Sequence, residues 1–427
     1  MFDLKNADVR KHLLRGNFGL EKESLRITPE GTLAQSLHPF HGEKHIVRDF
    51  SENQTEINTG VNDSAEAAIE ELEYYTRKML KLLDQLDPKE YLWPNSNPPY
   101  IRTSEDIPIA VYGEDEIQKA VYREYLSVRY GRYKMAFSGI HVNYSFSDEL
   151  LQAGFQSSAE SDYRIYKDRV YLKLASNLAA YGWIVTAITA ASPDLDGSFL
   201  EEGKKGKTSF LGMASVRCSE LGYWNHFIPV FNYSSLPSYI KSIQRYVDKG
   251  FIAYPSELYY PIRLKPRGDN NLDNLAELGV DHIELRNVDL NPMVYAGLDL
   301  RDLKFIQYLL VWLMCIPKVE LSEADQVQMG QNFKNAARYD LRTANIVMNN
   351  GEYCSVNEAV IKVIVYMREF FKKYYSGLQL QDILEILDFQ EEKFLHPEKS
   401  YSHQCHKLFG EQFFEKNLEI AKKKQEI

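Results

Sequence analysis

Four short segments carry acids, a histidine and an arginine at spacings that suit one face of a strand. They are Glu21 and Glu23; Glu52 and Glu56, with Asp49 just before them; His141 and Asn143; and Glu284 and Arg286. Successive strand side chains alternate faces, so residues two apart share one. Any such pair alone is most often a solvated strand edge. Four of them on one sheet would gather carboxylates on its open face, where like charges repel. A shared cation relieves that repulsion. Dense oxygen ligands select hard cations, so Mg²⁺ is expected and Mn²⁺ is compatible. One histidine among carboxylates argues against a structural zinc site. Mg²⁺ also binds substrate phosphates, which makes ATP the expected anionic partner.

The standard nucleotide motifs are absent. There is no G-x-G-x-x-G. Gly203-Lys204-Lys205-Gly206-Lys207-Thr208 imitates a P-loop, but its first glycine is two residues too close and no strand precedes it. His403-Gln404-Cys405-His406 has the composition of a metal tract but no matching second cluster, and it is read as part of a C-terminal loop. Cys218 is read as a small buried residue, since nothing nearby would lower its pKa.

The elements that must position these groups follow from periodicity. Strands are expected at 19–26, 46–59, 134–146 and 281–287, with shorter extended pieces at 215–220 and 259–264. On 134–146, Gly139, His141, Asn143 and Ser145 fall on one face and Ile140, Val142, Tyr144 and Phe146 on the other. Helices are expected at 63–86, with a capping box from Asp63 and Glu66, and at 115–129, with Ile117, Val121 and Val128 inward. Others are expected at 162–181, 299–316, 322–338, 355–374, 379–394 and 411–425; 193–212 reads as a loop. Strands in the first two thirds and helices elsewhere predict an α+β fold with a mainly antiparallel sheet. No linker divides the chain, so one domain over 1–427 is expected, a sheet-containing core at 1–298 and a helical remainder at 299–427.

With a net charge of −10, non-specific binding to nucleic acid or anionic membranes is disfavoured. The most apolar run, 305–317, is too short to span a bilayer. The first 17 residues show no secretory signal, and the four cysteines form no Cys-x-x-Cys pair. A reduced, cytoplasmic setting is expected, and a monomer is compatible with it.

Gly19-Leu20-Glu21-Lys22-Glu23-Ser24-Leu25-Arg26, Asp49-Phe50-Ser51-Glu52-Asn53-Gln54-Thr55-Glu56, Ser138-Gly139-Ile140-His141-Val142-Asn143-Tyr144-Ser145 and Ile283-Glu284-Leu285-Arg286 resemble, in this order, the bacterial glutamate–cysteine ligases. The resemblance runs from about residue 17 to 292 and continues more weakly beyond. It implies a glutamine-synthetase-like fold, whose curved antiparallel sheet forms a funnel around the active site. It also implies ATP-dependent joining of L-glutamate to L-cysteine through γ-glutamyl phosphate, the first step of glutathione biosynthesis. Metal ligands carry over onto Glu21, Glu23, Asp49, Glu56, His141 and Glu284. The arginines facing substrate carboxylate and phosphate carry over onto Arg123, Arg217 and Arg286. Tyr122, Tyr223 and Tyr259 match tyrosines of the cysteine pocket, and Arg263 and Lys265 resemble a basic strand near the nucleotide. Glu52 matches an acidic position outside the ligand set, and Arg48 stands where a small polar residue is more usual.

The chemistry agrees. Carboxylate and triphosphate are both anionic, so divalent cations and arginine forks are needed to bring them together. Because the chain ends in helices, the dipeptide is the expected product. Rival readings are a γ-glutamyl ligase for another amine, a carboxylate-metal phosphoester hydrolase and a binding module. Lys22 points away from the site by strand parity and should be replaceable at little cost to activity.

Overall fold

The computed structural model describes residues 2–113, 116–204 and 207–426. The residue expected to begin the 115–129 helix, and Lys205 and Gly206 of the glycine–lysine run, lie outside them. Strands are β1 (Gly16–Ile27), β2 (Ile46–Arg48), β3 (Gln54–Asn58), β4 (Tyr91–Leu92), β5 (Gly139–Phe146), β6 (Asp194–Asp196), β7 (Thr208–Phe210), β8 (Ile262–Lys265), β9 (His282–Asp289), β10 (Asn345–Val347) and β11 (Tyr353–Ser355). Helices are α1 (Ala7–His12), α2 (Ala65–Asp84), α3 (Ile117–Tyr130), α4 (Arg132–Met135), α5 (Asp148–Gln156), α6 (Tyr163–Tyr181), α7 (Trp183–Thr189), α8 (Leu236–Asp248), α9 (Leu272–Leu278), α10 (Leu300–Cys315), α11 (Glu323–Ala336), α12 (Val356–Tyr374), α13 (Gly377–Leu395), α14 (Tyr401–Phe409) and α15 (Phe413–Gln425).

The main sheet runs β2-β3-β1-β5-β9-β8, with β4 paired to the far end of β1. Every pairing in it is antiparallel. The path has two free edges, so the fold is α+β with an open sheet rather than a closed barrel. Leu20, Ile57, Ile140, Val142, Tyr144, Ile283 and Leu285 point to the back and are buried with Leu72 of α2, Leu174 of α6 and Ile306 of α10. Strand parity then turns the acids of β1, β3, β5 and β9 to the front, because an antiparallel sheet can pack one face and leave the other free. None of the described helices is long and apolar enough to cross a membrane.

Several elements differ from expectation. The 46–59 segment is a hairpin, β2 and β3, because Ser51 and Asn53 bond to each other and Asn53 anchors the turn on the Ala34 and Asp106 carbonyls. Residues 132–135 form α4, so the third strand starts only at Gly139. The cap of α2 is Ser64, which accepts from the Ala67 N–H, not Asp63. The 215–220 segment is a series of turns tied to Ser192 by one bridge. Within 193–212, β6 and β7 pair as a hairpin. His403, Cys405 and His406 lie on α14, not in a loop. Helix α3 faces the opposite way: Ile117, Val121 and Val128 are 60%, 50% and 81% exposed, and Leu126 is buried instead. Lys22 does point to the back, but it is buried there, donating to Thr76 Oγ1 at 3.2 Å. Burial pushes its ammonium down to about 8.

Candidate active site

β1 carries Glu21 and Glu23 across the middle of the front face. Its register sets Glu21 opposite His141 on β5 and Glu23 opposite Glu56 on β3. Two distinct groups of acids result.

The first group is Glu21, His141 and Glu284. One ligand atom from each lies within 4.8 Å of the others. His141 Nδ1 is 2.9 Å from Glu21 Oε2, and Asn143 Nδ2 donates to Glu21 Oε1 at 2.9 Å. Glu284, fully buried, is ringed by cations: Arg286 Nη1 at 3.1 Å, Lys265 Nζ at 3.3 Å and Arg263 Nε at 3.8 Å. Burial opposes ionisation of Glu284, but Arg286, Lys265 and Arg263 overcome it and hold the carboxyl well below the usual range. Glu21 is likewise opposed by burial yet brought down to about 2, chiefly by its hydrogen bond from His141. Burial and then Arg286 lower the His141 pKa, which favours the neutral ring that a metal needs.

The second group is Glu23 and Glu56, with Asp49 beside them. Burial and then Asp49 push Glu23 up to about 8, against the pull of Arg217, Arg286 and the Gly139 N–H at 2.9 Å. Glu56 is raised well above the usual range by burial, then by Asp49, Glu21 and Glu23. Geometry and electrostatics thus point to different places. The first group is compact and already neutralised, whereas in the second Arg217 and Arg286 do not offset burial and mutual repulsion.

A cavity beside Glu23 is lined by His141, Arg217, Tyr223, Tyr259 and Arg286, over Trp224 and Phe333. Arg217 enters it across Gly139, where any Cβ would overlap the guanidinium. Arg217 Nε and the Tyr259 hydroxyl are buried there without a protein partner. Arg286 shares the front with Glu284 by alternation, and a bulge follows: β9 advances three residues, Leu285 to Val288, while β5 advances two. Leu285 and Val288 can then both face the core, and Asn287 bonds the Gly182 carbonyl and Thr186 hydroxyl behind.

Of the sequence-predicted residues, Glu21, Glu23, Glu56, His141, Arg217, Tyr223, Tyr259, Arg263, Lys265, Glu284 and Arg286 meet on this face. Tyr122 and Arg123 stand at its rim. Arg123 Nε donates to the Asp49 carbonyl and its guanidinium lies 4.8 Å from the Tyr112 ring centre; Tyr122 packs edge-on against Tyr254 at 5.1 Å. Glu52 binds the His38 and Val111 N–H groups, both at 2.7 Å, and so fixes the turn after β2 rather than facing the cavity. Cys218 is buried, with its thiol pushed up to about 11 by that burial. Sequence reasoning missed Glu257 and Asn225, which support the rim; a lone Glu after Pro-Ser carries no periodic signal.

The family described as glutamate-cysteine ligase matches residues 1–256 and 248–336. The glutathione biosynthesis bifunctional protein GshAB of Listeria monocytogenes is 34% identical over 414 residues, covering 94% of this chain and 53% of that protein. The glutamate–cysteine ligase of Leptospira interrogans is 28% identical over 463 residues, covering 98% and 88%. Among solved structures, the bifunctional glutathione synthetase of Pasteurella multocida superposes with a TM-score of 0.83 at 24% identity, covering 98% of this chain and 53% of that one. The glutamate–cysteine ligase of Francisella tularensis, in complex with AMP, gives 0.84 at 21%, covering 96% and 88%. At those identities the superpositions establish the fold. The chain spans about half the length of the bifunctional relatives it matches.

Proposed function

The chain belongs to the glutamate–cysteine ligase family, and from that premise we propose that it joins the γ-carboxylate of L-glutamate to the amine of L-cysteine with conversion of ATP to ADP and phosphate. The product would be γ-glutamylcysteine, the intermediate γ-glutamyl phosphate, and the setting the cytoplasm. The single observation that carries this reading is the second acid group. Glu23, Glu56 and Asp49 crowd together without enough positive charge, beside Arg217 and Arg286.

The donor set fits hard divalent cations, Mg²⁺ or Mn²⁺. Glu23, Glu56 and Asp49 offer oxygen alone, and the neutral ring of His141 joins Glu21 and Glu284. Such cations, when bound, neutralise the triphosphate and the charge that spreads in phosphoryl transfer. The rest is work for the chain's own residues. Arg286, Arg263 and Lys265 supply fixed positive charge on the nucleotide side. Arg217, its Nε unpartnered, is suited to a substrate carboxylate because its planar fork binds bidentately. Arg123 at the rim can meet the same substrate. Tyr122, Tyr223 and Tyr259 wall off the acceptor, and the free Tyr259 hydroxyl can take a polar substrate atom. A walled cavity also keeps water from an acyl phosphate.

The test is mass spectrometry of products from ATP, Mg²⁺, glutamate and a mixture of amino acids. γ-Glutamylcysteine with equimolar ADP is expected. ATP breakdown that needs neither glutamate nor an amine would overturn the reading. Preference for another amine at matched concentration would replace cysteine as acceptor and leave the rest standing.

A further inference from the structure

Helix α3 carries Tyr122 and Arg123 to the rim, held to the core by Leu126 and the half-buried rings of Tyr122, Tyr125 and Tyr130. Its apolar stripe, Ile117, Val121 and Val128, faces outward, and only Leu126 is buried. Arg123 and Arg129 each reach one backbone carbonyl, of Asp49 and Phe251, but the largest set of its side-chain tethers ends on one carboxylate. Glu257, fully buried in the turn Pro255–Glu257, accepts from Tyr130 OH at 2.7 Å and Tyr125 OH at 3.0 Å, and pairs with Arg129 Nε at 2.6 Å. All three come from α3. Its fourth contact is the Ala253 N–H of its own loop, at 2.7 Å.

The network continues into the site. Asn225 Nδ2 donates to Tyr130 OH at 3.0 Å and to the Glu257 carbonyl at 2.9 Å, and Asn225 Oδ1 accepts the Tyr259 N–H at 2.8 Å. The Tyr259 ring lies edge-on to Tyr130 at 5.3 Å and to Tyr223 at 5.4 Å. Arg263 Nη2 donates to the Ser256 and Leu258 carbonyls, both at 3.2 Å, on either side of Glu257. A buried carboxylate is costly unless its oxygens are matched, and here three of the four groups that match them come from α3 and the fourth from its own loop.

We propose that Glu257 is a positioning residue: it clamps α3 to the 252–259 loop and so holds Tyr122 and Tyr259 at the spacing the amine acceptor requires. This rests on the ligase reading above. Charge-assisted hydrogen bonds are the strong ones, so Glu257→Gln, which keeps the shape and removes the charge, should loosen α3 without unfolding the sheet.

Two measurements on the full chain test it. Hydrogen exchange without substrates should show α3 amides exchanging about tenfold faster in Glu257→Gln, with β5 unchanged. Steady-state kinetics should show KM for the amine acceptor raised about tenfold and kcat within about twofold. Tyr130→Phe, which deletes one hydroxyl, should move both readouts the same way by less, and it carries the test if Glu257→Gln does not fold. Unchanged α3 protection, or kcat falling with KM constant, would overturn the clamp. Wild-type protein without glutamate-dependent turnover would sink the ligase reading alone, and the exchange experiment would still decide the clamp.

Discussion

The two acid groups on the sheet front differ in who balances their charge. Glu21, His141 and Glu284 sit among Arg263, Lys265 and Arg286, so the chain neutralises its own carboxylates there. Glu23, Glu56 and Asp49 have no such ring, and Glu23 and Glu56 hold their protons far above the usual carboxylate range. The difference teaches that closeness of ligands and need for a cation are separate properties. A triad can be compact because it is already paired. A looser group with unmet charge is where an added cation gains most.

The largest test of that contrast is Glu23→Gln. Activity should fall by ~100-fold or more, as for loss of a group that stabilises transition-state charge. The metal-free chain should meanwhile become more stable, because a crowded acid has been removed. Thermal melts and initial rates on the same preparation check both signs. Glu284→Gln should go the other way: it leaves three cations facing a neutral amide and should cost about 3 kcal/mol in denaturant unfolding. If both variants shift stability in the same direction, the contrast between the groups is wrong.

A milder test varies pH. The folded-state pKa of Glu23, about 8, lies above the ordinary 4.5. For an acid shifted upward, the stabilising contribution is fully present below pH 4.5 and is lost as pH rises through 8. Melting temperature of the metal-free chain should therefore decline between about pH 5 and 9. Saturating Mg²⁺ should flatten the decline, since the cation takes over from the proton; Glu23→Gln should flatten it too. The smallest effect is expected on the back of the sheet. Lys22→Met removes a buried ammonium whose pKa burial has lowered to about 8, so Tm should rise while kcat stays within about twofold.

How much of this was legible in the sequence follows the reach of each signal. Strand parity is local, so the front and back residues of β1 and β5 could be assigned from two-residue alternation. The β9 bulge was hidden, because an extra residue shows only against its partner strand. The face of α3 was misread because two stripes share helical spacing, Ile117–Val121–Val128 and Tyr122–Leu126–Tyr130, and packing against the 252–259 loop chose the aromatic one. Lys22 was assigned the right side, but its burial depends on α2, 54 residues away. The second acid group was visible as residue types, whereas its excess of charge over partners needed the positions of Arg217 and Arg286. Glu257 left no trace, since its donors lie 127 and 132 residues away at Tyr130 and Tyr125.

Glu23, Glu56 and Asp49 are proposed to hold a divalent cation. Isothermal calorimetry of Mn²⁺ binding, in buffers of different ionisation enthalpy, tests it most directly. Near pH 6.5 protons held by Glu23 and Glu56 should be released as the cation binds, the number falling as pH rises, and Glu23→Gln should release about one fewer. Binding without proton release at pH 6.5, or release undiminished in Glu23→Gln, would rule this out.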